Sequence, residues 1–476
     1  SVASISSITT SGGIDDTLVF ASTSDSGNGG SSVVGAYQIN TGLDTTITGT
    51  GWGAGSWSRG TWGSAASLSA SGQTLRIWSH DNFGEDLLIN VRDGDIFYWD
   101  KSTSSSSPFN RAVELASLAG ANTTPTIAKK VLVSDRDRHI IAFGCDSQTN
   151  PGVQDPLLIR FSDQESLTDW AATATNTAGD LRLGSGSEII TAIETRQQVL
   201  VYTDVSLHAM QFLGPPFTFG INTISENITI AGPLAAIAVE DNVFWMGAEE
   251  FYVYGGAVQR LPCTVRDYVF SDINTDQLEK VTASTNTAFS EVWWFYPSAS
   301  SSENDRYVVY NYQQQIWYYG SMARTVWLDR GVEDLPVAAG TDHVLYFHEQ
   351  GFDDGSTNPA SGISAYIESS QMDIGEGEQF VFLRRMIPDL TFRDSTNETP
   401  QATMTLKARN FPGGNYLQSN SKIVEKTASV PVEQFTDQVH VRLRGRSFAF
   451  KIETSDTGTT WRLGSPRVEI QPDGMR

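Results

Sequence analysis

The sequence is short of cysteine, of basic residues, of long apolar runs and of paired histidines, and each shortage closes off a class of protein. Two cysteines in 476 residues, Cys145 and Cys263, make no disulfide framework. They are one bridge or two buried thiols, and buried thiols are the expected state. Thirty-two Lys and Arg stand against 55 Asp and Glu, a formal charge of −23. A free nucleic-acid binder carries a basic excess, so this acidity argues against one; it repels polyanions and favours solubility. No apolar run reaches the roughly 18 residues of a membrane-spanning helix. The longest stretch, ITIAGPLAAIAV (228–239), is broken by Gly232 and Pro233. There is no secretory signal, and the chain opens on SVASISS without an initiator Met, so it reads as the ordered or processed part of a longer product. The six histidines are His80, His139, His208, His343, His348 and His440, and none sits at metal-ligand spacing from a second His or Cys. His343 and His348 lie five apart in an apparent strand, on opposite faces. No Gly-x-Ser-x-Gly and no phosphate loop occurs; GSGSE (184–188) is too short and leads into a strand. No catalytic residue, cofactor or metal is therefore expected, and the chain reads as a non-enzyme.

What the chain does have is β-structure and aromatics. Residues 1–73 contain no Lys and no Glu, and Ser, Thr, Gly and Asp dominate them. The runs IDDTLVF (14–20) and SVVGAYQI (32–39) still read as strands, so 1–73 is expected to be a Gly/Ser-rich β-arm or small β-domain. Inside it, GWGAGSWSRGTWG (51–63) places Trp52, Trp57 and Trp62 five residues apart, which fits neither a helix nor a strand. Such spacing suits a winding loop that seats each indole in its own pocket, an interface staple; a carbohydrate-stacking ladder is the rival.

From residue 74, short aromatic-rich runs alternate with turns such as the Asp-Gly of RDGD (92–95) and the Gly-Gly of YGGA (254–257). NVFWMGAEEFYVYGG reads as a hairpin, and SEVWWFYP…DRYVVYNYQQQIWYYG as three successive strands. Hairpins recur near 75–100, 129–162, 189–213, 228–256, 281–319 and 337–349. That recurrence predicts an all-β chain with a β-propeller of about six blades over 74–364, a stack of sandwiches being the alternative. NTDQLEK (274–280) is the one plausible helix, and a short one.

Beyond about residue 365 apolar and charged residues alternate: Val439, Val441 and Leu443 face one way, His440, Arg442 and Arg444 the other. This predicts a C-terminal antiparallel β-sandwich, 365–476. Its charge also differs. From Glu376 to Arg476 there are 14 basic and 12 acidic residues, which leaves −25 on residues 1–375. RLRGR (442–446) is the most basic spot, and Arg442, Arg444 and Arg446 read as an interface edge. Carboxylate pairs (Asp15/Asp16, Asp135/Asp137, Glu249/Glu250, Asp353/Asp354) read as solvated turns, although a glycosidase needs one such pair across a cleft. TSDTGTTW (454–461) fits the spacing of the Asp box of sialidase-type propellers, and reads as a plain turn.

Several segments resemble those of the tail nozzle and packaged-DNA stabilisation (tail hub) proteins of short-tailed bacteriophages, the podoviruses. They are AYQINTGLDTTITGTGWGAGSWSRGTWG (36–63), RFSDQESLTDW (160–170), GPPFTFGINTISENITIAGP (214–233), EVWWFYPSASSSENDRYVVYNY (291–312) and TTWRLGSPRVEIQPDGMR (459–476). The resemblance implies a structural virion protein on a β-propeller with added β-domains. Six copies would form a ring around the DNA-ejection channel, DNA would pass without specific binding, and the ring would help retain the packaged genome. Its partners would be adaptor or portal-proximal tail proteins, with tail fibres and the host envelope as further candidate contacts. It would reside in the virion, and in the host cytoplasm during assembly. Nozzle and middle hub remain alternatives. The competing function is a glycan-binding or glycan-cleaving β-propeller, virion-borne or secreted, which requires an exposed cleft with two carboxylates among aromatics.

Overall fold

The computed structural model describes residues 2–9, 17–22, 43, 75–104, 112–214, 217–355, 360–373, 377–410 and 425–474. Trp52, Trp57 and Trp62 lie outside the described residues, as does the run 32–39. From residues 1–73 the structure describes an antiparallel hairpin, Val2–Thr9 with Thr17–Ser22, and Leu43, which bridges Leu75. Among the described residues the protein is almost entirely β, with six blades in succession along the chain.

The chain divides into two compact units. The first holds Ser1–Gly184 with Gly214–Thr218, the second Ser185–Leu213 with Phe219–Arg476. In the first unit, the first blade is built from Trp78–Phe83, Asp86–Val91, Ile96–Trp99 and Val113–Glu114. The second is built from Lys130–Val133, Ile140–Phe143, Leu158–Phe161 and Gly179–Arg182. The leading strands of these two blades pack on each other. Side chains tie them: Val133 N–H donates to Asp81 Oδ2 at 2.8 Å, and Val131 N–H to Ser79 Oγ at 3.3 Å. Between the blades lies a core of Leu88, Ile96, Leu115, Val131, Ile140 and Trp170.

The second unit continues the pattern. Its blades lead with Ile189–Glu194, Ala236–Val239, Thr282–Asn286 and Arg324–Leu328. Each leading strand packs against the next. Within every blade the strands follow chain order and run antiparallel, so the sheets stack face to face about their leading strands, which is the propeller arrangement.

This stacking explains the aromatic runs. Glu291–Tyr296, second strand of the fifth blade, is buried along its whole length. Successive side chains alternate sides. Val292, Trp294 and Tyr296 enter the core shared with the fourth blade; Trp293 and Phe295 enter the core shared with the sixth. A blade covered on both faces leaves its middle strands little solvent, so they are mostly apolar, with a few buried polar residues such as Glu291.

Helix is sparse. Thr275–Lys280 is 3₁₀ and kinked at Gln277, with Asn274 accepting the Asp276 N–H as its cap. The α-helix Arg266–Asp272 was not expected, because RDYVFSD is rich in the aromatic and β-branched residues of strands.

Beyond the blades, two antiparallel sheets enclose a separate core. One has the order Ala365–Glu368, Ser447–Thr454, Gln401–Arg409, Glu425–Glu433; the other Val439–Gly445, Val381–Ile387, Arg467–Pro472. Val439, Val441 and Leu443 point into that core with Met386, Met404 and Ile452, while His440 and Arg442 are exposed.

Candidate functional site: the sixth blade

The sixth blade departs from the other five. Among the described residues it has three strands, Arg324–Leu328, Val337–Gly340 and Leu345–Phe347, where the others have four. Register sets what each face carries. Trp327 pairs with Ala338, and Ala338 with Tyr346, on the face turned to the fifth blade. Val326, Ala339 and Leu345 form one row of the opposite face; Leu328, Val337 and Phe347 form the next. Every residue in both rows is apolar. Yet Leu345 is 72% exposed, Leu328 69%, Phe347 58% and Val326 48%. Among the described residues, Leu345–Phe347 has a strand neighbour on one side only, so the same place presents an open β-edge. Monomeric proteins rarely leave such a face and edge uncovered.

The inner face is an aromatic junction around buried polar groups. Trp327 stacks on Trp293 with centroids 5.1 Å apart and planes within 12°. Beneath them Glu291 is buried; its carboxylate accepts the Trp293 indole N–H at 3.0 Å and the Tyr318 hydroxyl. Burial raises its pKa above the usual carboxylate range against the pull of those two bonds. Glu349, in contact with Asn286 Nδ2 at 3.0 Å, is also raised, by desolvation of its carboxyl and by the like charge of Glu291. Glu349 as a residue is exposed, so water screens most of that effect, and Glu291 is the carboxylate under real constraint. Arg324 Nε donates to His348 Nε2 at 3.0 Å, which makes His348 a neutral acceptor; burial first, and the guanidinium second, hold its pKa near about 4.

The residues singled out in the sequence are placed as follows. Arg442 stands exposed on its strand. Arg444 pairs with Asp473, and the guanidiniums of Arg444 and Arg446 lie 4.1 and 4.7 Å from the centroid of the Phe380 ring. Both cysteines are free thiols, Cys145 buried and Cys263 half-buried. The strand Leu345–Phe347 lies between His343 and His348; His343 occupies a left-handed turn position, φ 66°, so the two do not share a strand. GSGSE precedes the strand Ile189–Glu194, and Asp204 accepts the Ser187 N–H at 2.8 Å and the Ser187 hydroxyl at 2.5 Å. Glu250 of the 249/250 pair binds Arg266 at 3.1 Å. Asp135 and Asp137 sit at a hairpin tip, and Asp353–Asp354 is a short strand paired with Ser361–Gly362. Asp15 and Asp16 are outside the described residues. In the Asp-box segment Gly458 takes a left-handed turn position, φ 65°, and Trp461 packs on the sandwich core, so the segment is a turn. No group of three metal-ligating side chains occurs among the described residues, and no helix there is long and apolar enough to cross a membrane.

Nothing local in the sequence singled out Glu291, Asn286 or the outer face of the sixth blade. The run HVLYFHE (343–349) was legible as a strand, but nothing local marks its apolar side as uncovered.

No known family matches the chain, and no curated protein matches its sequence. Among solved structures the chain is similar to Kluyveromyces lactis Hsv2p, at 12% identity over 57% of this chain and 73% of that one, TM-score 0.33. It is also similar to the computationally designed Ika8 protein, at 9% identity over 64% and 81%, TM-score 0.34. An exo-beta-1,3-galactanase from Phanerochaete chrysosporium matches at 12% identity over 82% and 95%, TM-score 0.28. At these values the likenesses carry no functional argument; the fold rests on the sheets themselves.

Proposed function

We propose that the chain is a structural subunit of a phage tail, forming a six-membered ring around the DNA-ejection channel and helping retain the packaged genome. The observation that carries this reading is the outer face of the sixth blade: two rows of apolar side chains beside an open strand edge, on a chain of net charge −23. An apolar face with a free edge is a surface for assembly. Acidity around a conduit repels the DNA that must slide through it. The segments resembling tail nozzle and hub proteins point the same way. The glycan-cleaving alternative needs a free general acid, and Glu291, the carboxylate set among tryptophans, is engaged by two donors already.

Cryo-EM of the purified protein tests the reading. A six-fold ring with an open, acidic axial channel and the sixth blade at a subunit contact is the expected result. A monomer, or a closed axis with Leu345 and Phe347 facing solvent, would overturn it.

A further inference from the structure

The fourth and fifth blades leave an open cleft of about 340 Å³ between them. It is distinct from the sixth-blade face. Its lining is aromatic and apolar at depth: Phe244, Tyr310 and Leu261 are buried, and Tyr312 stacks with Phe244, ring planes within 27°. Five polar side chains complete the lining: Glu240, Asn242, Gln259, Arg260 and Gln315. Two of them are held on rigid turns. Glu240 and Gln315 occupy left-handed positions, φ 55° and 57°, and Asn311 Oδ1 accepts the N–H groups of Gln313 and Gln314 to fix the second turn. Among the described residues, the amides of Asn242, Gln259 and Gln315 and the hydroxyl of Tyr312 have no hydrogen-bond partner.

A small concave site with an apolar floor and a few convergent polar groups is the usual form of a ligand site. The chemistry narrows the ligand. Glu240 and Arg260 cancel in charge, which favours an uncharged molecule. An amide both donates and accepts, and a hydroxyl group answers both at once. The half-buried Tyr312 ring offers an aromatic surface for the C–H face of a sugar ring. A nucleotide would bring phosphate to a chain of −23. We propose that this cleft binds a neutral saccharide, with Tyr312 as the stacking platform and Asn242, Gln259 and Gln315 reading hydroxyls. The site needs one chain only and stands or falls independently of the ring.

Saturation-transfer NMR on the purified protein tests it, with maltose, cellobiose and lactose at millimolar concentration and sialyllactose as the charged comparison. The expected result is transfer to the ring C–H protons of at least one neutral disaccharide. Tyr312→Ala should weaken that binding about tenfold, the scale of one lost aromatic contact, and Tyr312→Phe should hold it within about twofold. The exposed Gln259→Ala should weaken it several-fold with an unchanged melting curve, which keeps the test decisive if Tyr312→Ala does not fold. No transfer from any neutral disaccharide, binding indifferent to both Tyr312→Ala and Gln259→Ala, or a preference for sialyllactose would overturn the proposal.

Discussion

His348 is a single side chain with a measurable pH signature. In the unfolded chain it protonates below about pH 6.5. Folded, it stays neutral until about pH 4, because it is half-buried and sits against the Arg324 guanidinium, whose bond it accepts. The unfolded state therefore takes up the proton first, and this contribution to stability is lost as pH falls from about 6.5 to about 4. The loss is at most about 3 kcal/mol. Glu291 acts with the opposite sign: its raised pKa means the folded state binds the proton more readily, so its contribution grows as pH falls through that raised value. Denaturant melts of the protein and of His348→Gln across this range isolate the histidine. The difference between them should shrink as pH falls, since Gln can accept from Arg324 without titrating. A constant difference would remove His348 from the account.

The cysteines make a second residue-scale prediction. Burial pushes the Cys145 thiol to about 12 and the Cys263 thiol to about 11, so neither is a ready nucleophile near neutral pH. An Ellman assay should find both thiols slow in the native protein and both reactive after denaturation. One fast native thiol would contradict the burial.

At the scale of elements, the strand Glu291–Tyr296 should be the most sensitive stretch, since both its faces are core. Trp294 is fully buried and donates its indole N–H to the Ala235 carbonyl at 3.1 Å. Trp294→Ala should cost about 3–5 kcal/mol by thermal or denaturant melting. The sixth blade should behave differently. Leu345 and Phe347 are exposed in the single chain, so Leu345→Lys with Phe347→Lys should change the subunit's stability by no more than about 0.5 kcal/mol each. If the proposed ring is held by this face, light scattering should nevertheless find it lost. A stable double variant that still forms a ring would place the proposed interface elsewhere.

The elements were also where the sequence was most readable. The turns at Asp93–Gly94 and Gly255–Gly256 and the alternation over Val439–Gly445 are local signals, and each produced the structure it predicts. The helix Arg266–Asp272 was not readable, because its Tyr, Val and Phe are strand formers until Val269 finds a core between blades. Nor was the Glu291 site. Its partner Trp293 stands two residues along the same strand, but Tyr318 comes from the last strand of the blade and its neighbour Glu349 from the sixth blade.

At the scale of the whole molecule, charge sets the conditions for the proposed assembly. Like charges on −23 subunits repel, and salt screens them over a Debye length of about 10 Å at 0.1 M. Raising ionic strength from about 0.02 M to about 0.5 M should therefore shift the protein toward larger oligomers in analytical ultracentrifugation. Dissociation by salt would mean that ion pairs, and not the apolar face, hold the subunits.

Composition and periodicity alone determined that this chain is acidic, all-β and built of repeated aromatic hairpins, because turn chemistry and side-chain alternation act over a few residues. Tertiary structure alone decided which of those hairpins stays uncovered. Leu345 and Trp293 are both apolar residues in strands of similar texture. One is exposed and the other buried because a blade is covered by its neighbour, and the identity of that neighbour is written in no local stretch of sequence.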